Sequence, residues 1–192
     1  MEVKINKTVD LERIAKHVNV ILGKKVKENN MNIVLQGPKA SGKSTLAQHF
    51  ISLGYEYFHS SSETENDLKY HLDLLKGDKR VIDRFSIGEM IYPSIYNREG
   101  KLSLPEFLAT MINRDTIYVI LFASNINDLL ERIELRDYGK KIDYESLRAS
   151  NSCFKMMAHN LKTINQNIKT FDISKTDIED IIKEIEDELR NS

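Results

Sequence analysis

From Asn32 to Thr45 the chain reads NIVLQGPKASGKST. Gly37, four residues, then Gly42, Lys43 and Ser44 fit the pattern G-x-x-x-x-G-K-[ST], a loop whose backbone N–H groups wrap around a phosphate. Glycines at the two ends permit the positive φ angles and the close approach that such wrapping requires. The Lys43 ammonium then reaches the β- and γ-phosphates, the Ser44 hydroxyl is placed to ligate Mg²⁺, and the helix behind turns the positive end of its dipole to the anion. Gly37, Pro38, Lys39, Ala40, Ser41, Gly42, Lys43, Ser44 and Thr45 are therefore the expected nucleotide-binding residues, with ATP as donor. The apolar Ile33, Val34 and Leu35 before the loop and the helical TLAQHFISL within and after it supply the strand and helix that the motif needs, and a plain glycine-rich turn is the weaker reading.

A second cluster lies forty residues on, where Val81 and Ile82 run into Asp83 and Arg84. If that short strand sits beside the loop's strand, the carboxylate can hold Mg²⁺ through water and the guanidinium can clamp a second phosphate bidentately. Taken alone, such a pair is as readily a surface ion pair. Arg132 and Arg136 fall four apart in a helical stretch and share one face. They could close over a reacting phosphoryl group, or lie on a solvated helix laced with Glu131 and Glu134.

The elements that must position these residues follow from patterning. With 192 residues and 41% hydrophobic content the chain is long enough for one buried core and short for two. A net charge of −1 gives no basic field for a nucleic-acid or membrane surface. The single Cys153 excludes an intramolecular disulfide and a cysteine metal cluster, which suits a reducing compartment. No stretch resembles a signal peptide or reaches the roughly 18 apolar residues of a membrane span. A cytoplasmic protein with no membrane partner is expected.

In chain order, Leu11, Ile14, Ala15, Val18, Ile21 and Leu22 recur at helical steps, so residues 1–30 read as a helical extension. Its apolar stripe should cover its own domain or, less readily, a second copy in a homodimer. Residues 31–192 read as alternating helices and strands. Thr45–Leu53 is a helix ended by Gly54, Tyr55–His59 a strand, Asp67–Leu75 a helix and Arg80–Arg84 a strand. The stretch 85–97 is helical with Pro93 bending or ending it, and Ser103 to Glu106 is a capping box opening a helix to Arg114. Ile117–Ser124 is the most strand-like run, Asp128–Arg136 is helical, and a long helix runs to about Asn165. Thr170–Ile173 and Asp177–Leu189 complete the series. Strands alternating with helices predict an α/β fold with a parallel sheet and crossover helices.

The segment VIDRFSIGEMIYP resembles the D-R-[FYW]…E-x-x-Y segment of the thymidylate kinase family, particularly its small viral and phage-type members, and the P-loop lies at the matching distance upstream. Arg132-Ile-Glu-Leu-Arg136 resembles the R-x-x-x-R lid of nucleoside monophosphate kinases. This resemblance, over roughly 32–174, implies a three-layer α/β/α P-loop kinase core with a five-stranded parallel sheet and a lid at about 132–147. It implies phosphoryl transfer from Mg·ATP to a small-molecule nucleotide such as dTMP. Lys43 would hold donor phosphates, Ser44 and Asp83 the metal, Arg84 the acceptor phosphate, and Arg132 and Arg136 the developing charge. Glu89, Tyr92 and Tyr70 are candidates for the acceptor pocket. The chain departs from the family in carrying Lys39 where an acid is usual, and in lacking an arginine in HSSSETEN after the second strand.

Two other readings remain open at this stage. A hydroxyl acceptor, on a deoxynucleoside or a nucleic acid, would need a general base, for which Glu63 and Glu65 are available. The near-neutral charge disfavours a polymer. A regulatory nucleotide-binding module is the other, but no N-K-x-D segment follows the P-loop, and Asp83 is followed by Arg84 rather than an acid that would activate water.

Overall fold

The computed structural model describes residues 30–61, 67–136 and 143–191. Within them five strands, β1 (Asn32–Gln36), β2 (Glu56–His59), β3 (Arg80–Asp83), β4 (Thr116–Phe122) and β5 (Ile168–Asp172), form one sheet. Its order is β2-β3-β1-β4-β5 and every pairing is parallel. Parallel neighbours require crossovers. These are built from helices α1 (Lys43–Ser52), α2 (Leu68–Leu75), α3 (Ser86–Ile95), α4 (Leu104–Thr110), α5 (Ile126–Arg136) and α6 (Tyr144–Leu161), and α7 (Ile178–Arg190) closes the chain.

The inner strands are apolar on both faces because both are covered. On one side Ile33, Leu35, Val81, Val119 and Leu121 pack with Leu46 and Phe50 of α1 and Ile181 and Ile185 of α7. On the other, Val34, Ile82, Tyr118 and Ile120 meet Leu75 of α2, Ile87 and Ile91 of α3, and Phe154 of α6. The edge strand β2 has one partner and is mostly exposed. The structure is thus the three-layer α/β/α arrangement expected from the sequence. The N-terminal extension, Glu63, Glu65 and the middle of the expected lid lie outside the described residues.

Three helix boundaries have identifiable physical reasons. Helix α3 continues past Pro93 to Ile95, because in the last turn the proline removes only the N–H that would meet the Glu89 carbonyl. Helix α4 stops at Thr110 rather than Arg114. There the Tyr118 hydroxyl donates to the Thr110 carbonyl (2.7 Å) and Asn165 Nδ2 donates to that of Met111 (3.0 Å), so tertiary donors replace the next helical N–H groups. The same use of Asn165 places it beyond the end of α6, at Leu161. Among the described residues no helix is long and apolar enough to cross a membrane.

Candidate active site

Because the strands are parallel, their carboxyl ends share one edge of the sheet, where open α/β folds bind ligands. At that edge β1 passes into the loop Gly37–Gly42 and then into α1. Gly37 (φ 157°), Ala40 (φ 63°) and Gly42 (φ 92°) all take positive φ. A Cβ on Gly37 would lie 2.7 Å from Ser41 Oγ and 2.9 Å from the Leu121 carbonyl, so no larger residue lets the loop cross β4 at this height. Lys43 folds back under the loop, its Nζ donating to the carbonyls of Gly37 (2.9 Å) and Pro38 (2.7 Å) and to Ser41 Oγ (3.3 Å).

Burial pushes the Lys43 ammonium down to a pKa of about 8, with Asp83 opposing the shift and Arg84 and Arg136 adding to it. A phosphate bound against Lys43 would move that value back up toward 10.5. Binding should therefore take up a proton between pH 8 and 10.5, so the contribution of Lys43 to the affinity for a phosphate ligand stays level below pH 8 and falls above it, by up to about tenfold per unit. Unfolding takes up a proton in the same window, so this residue's contribution to the stability of the ligand-free fold rises with pH there. Calorimetry at about pH 8.5 in two buffers of different ionisation heat measures the uptake. No uptake, or uptake that survives in Lys43→Ala, would refute the assignment.

Strand β3 lies beside β1 in the register that sets Asp83 opposite Leu35. Asp83 is 3% exposed, and its Oδ1 has no hydrogen-bond partner among the described residues. Its Oδ2 accepts from the Tyr57 hydroxyl at 3.4 Å and lies 3.6 Å from His59 Nδ1. An orphaned carboxylate oxygen at the floor of a cleft that Ser44 also lines fits a hydrated Mg²⁺. The chain then turns sharply. Arg84 has φ 71°, its N–H donates to the Leu35 carbonyl (3.0 Å), and its exposed side chain lines the cleft.

The cleft has a volume of about 990 Å³ and is lined at one end by the P-loop, with Arg132 and Arg136 beside it. Phe85, Glu89, Tyr92, Tyr96, Arg98 and Phe154 also line it. Glu89, 7% exposed, accepts from both terminal nitrogens of Arg98, each at 3.2 Å. Tyr92 stacks on Tyr96 (centroids 5.9 Å apart) and meets Phe154 edge-on. Burial pushes the Tyr92 hydroxyl up to about 12, which keeps it a neutral donor. Of the residues expected from sequence, Tyr70 is not brought into this wall: its hydroxyl is 3.0 Å from Ser60 Oγ, and it is Ser60 that lines the cleft. Arg98, Tyr96, Phe154, His59 and Gln36 line the cleft without having been anticipated. No motif marks them, and only the alternation that sets the face of Gln36 was present as a signal.

No protein-family model and no curated protein matches the chain. Solved structures share its architecture. The YorR protein of Bacillus subtilis, in complex with phosphorylated GDP, aligns with a TM-score of 0.70 at 21% identity, over 82% of this chain and 95% of that one. The two chains share one fold. Deoxyadenosine kinase from M. mycoides with bound dCTP aligns at 0.52 and 18% identity, over 84% and 100% of the two chains. Thymidylate kinase from Candida albicans aligns at 0.51 and 14%, over 86% and 93%. The P-loop kinase fold is thus common to proteins named for a nucleoside and for a nucleotide, and it does not select between them.

Proposed function

We propose that the protein transfers the γ-phosphoryl group of Mg·ATP to a (deoxy)nucleoside monophosphate, with dTMP the first acceptor to try. The observation that carries this reading is a single cleft lined both by the P-loop and by Arg84, the aromatic Tyr92, Tyr96 and Phe154, and the Glu89–Arg98 pair. Its size suits a donor and an acceptor held together. The loop amides and Lys43 hold the donor phosphates, and Arg84 clamps the acceptor phosphate. Arg132 and Arg136 lie where they can neutralise the equatorial oxygens, which positions the reaction without a strong base. Mg²⁺, held by Ser44 and through water by Asp83, would neutralise charge on the β- and γ-phosphates. Tyr92 offers a face for the acceptor base. Arg98 offers donors only, which suits the carbonyl oxygens of thymine.

The test is an acceptor screen with labelled γ-phosphate. Each deoxynucleoside monophosphate, each deoxynucleoside and a short DNA are offered with Mg·ATP, and Lys43→Ala serves as the blank. Transfer to one or two monophosphates supports the proposal and names the base. Transfer only to nucleosides or DNA, or none at all, would sink it.

A further inference from the structure

Gln36, the last residue of β1, is 1% exposed and forms part of the cleft wall, yet its Nε2 has no hydrogen-bond partner among the described residues. Asn113 Nδ2 is likewise buried and unmet but lies outside the cleft lining, so it is the place of Gln36 in the cleft wall that gives its unmet donor a ligand to serve. Strand alternation fixes which half of the cleft it serves. Gln36 pairs with Ile120, and both Ile120 and Val34 belong to the core beneath α3 and α6, together with Phe85 and Phe154. Its side chain therefore stands on the acceptor side of the sheet. Asp83, in register with Leu35, stands on the α1 side.

We propose that Gln36 is an acceptor-binding residue that selects an acceptor bringing its own oxyanion, its carboxamide donating a hydrogen bond to the acceptor phosphate. This rests on the phosphotransferase reading above and sharpens it. A carboxamide has no basic site near neutral pH, so it cannot take a proton from a hydroxyl. A phosphate acceptor needs no such base. Its oxygen forms the new bond to the γ-phosphorus as the bond from that phosphorus to the β,γ-bridging oxygen breaks. The electron pair stays on the β-phosphate of the departing ADP, and no proton leaves the acceptor. A carboxylate at this position would do the reverse, repelling a phosphate and serving a hydroxyl.

The experiment compares wild type with Gln36→Leu, which removes the donor at similar volume, and Gln36→Glu, which adds a carboxylate. Acceptor and ATP are varied separately, and monophosphate binding is also measured by calorimetry, which gives the comparison without turnover. Gln36→Leu is expected to raise the acceptor KM and Kd about tenfold or more and to leave the ATP KM within about twofold. Gln36→Glu should weaken the monophosphate further and bring measurable transfer to the matching nucleoside. If Gln36→Leu does not fold, Gln36→Met carries the same comparison. Acceptor binding unchanged in the Leu or Met variant, in a protein that uses monophosphates, overturns this inference alone. A wild-type protein that phosphorylates nucleosides and no monophosphate overturns both this inference and the reading beneath it.

Discussion

Lys43→Ala is expected to lower phosphoryl transfer by about 10²- to 10³-fold or more, while the circular dichroism spectrum is unchanged. The ammonium folds back against the loop and already touches two loop carbonyls and Ser41 Oγ. In a buried site a preorganised charge acts on the transferring group with little solvent screening, and the enzyme does not have to reorganise around it during the step. Arg84 and Arg136 raise the local potential at Lys43, but their side chains are exposed and do not take its buried place against the loop. Single-turnover rates with saturating Mg·ATP measure the effect directly. A variant within tenfold of wild type would remove Lys43 from the reacting centre.

Arg84→Gly and Arg84→Ala should part company in stability and agree in activity. Arg84 holds a left-handed backbone (φ 71°) that a non-glycine residue adopts at a cost of about 1–2 kcal/mol. Glycine relieves that cost but loses about 0.5–1 kcal/mol of it to the greater freedom of the unfolded chain. The glycine variant is therefore expected to be more stable than the alanine variant by up to about 1 kcal/mol, or roughly 2–4 °C in Tm. Both lose the guanidinium, so both should lose about 10²-fold in kcat/KM for the acceptor with a small change in ATP affinity. Thermal unfolding and steady-state kinetics on the pair give the four numbers. An acceptor KM that is unmoved in either variant would show that the kink at Arg84 serves the fold and not the substrate.

The phosphate loop was legible because it is contiguous. The spacing from Gly37 to Ser44 encodes the loop within a few residues of chain, and the positive φ angles at Gly37 and Gly42 are the ones that glycine permits. Element type was legible for the same local reason. The Asp67 carboxylate caps α2 by accepting from the Tyr70 N–H, and Ser103 with Glu106 closes the capping box of α4, both within four residues. The apolar runs of β1, β3 and β4 announced strands covered on both faces.

The aromatic part of the cleft is a different matter, since its walls come from separate parts of the chain. Phe154 reaches it from α6 and Arg98 from the turn after α3, where the guanidinium finds Glu89, and neither neighbourhood carries a repeating signal. Tyr70 looked equivalent to Tyr92 as an aromatic near the motif, yet its helix face turns it to Ser60 behind the wall. Sequence by itself determined the phosphate loop, the alternation of helix and strand, and the pairing of an acid with an arginine at the end of an apolar run, because capping, glycine geometry and hydrophobic period act over a few residues. Only the tertiary structure decided that β3 lies against β1 with Asp83 level with Leu35, that β2 is left at the edge, and that Gln36 lies on the face of the sheet covered by α3 and α6. Strand order and register are set by which apolar faces are buried together across the whole chain, and no local pattern carries that sum.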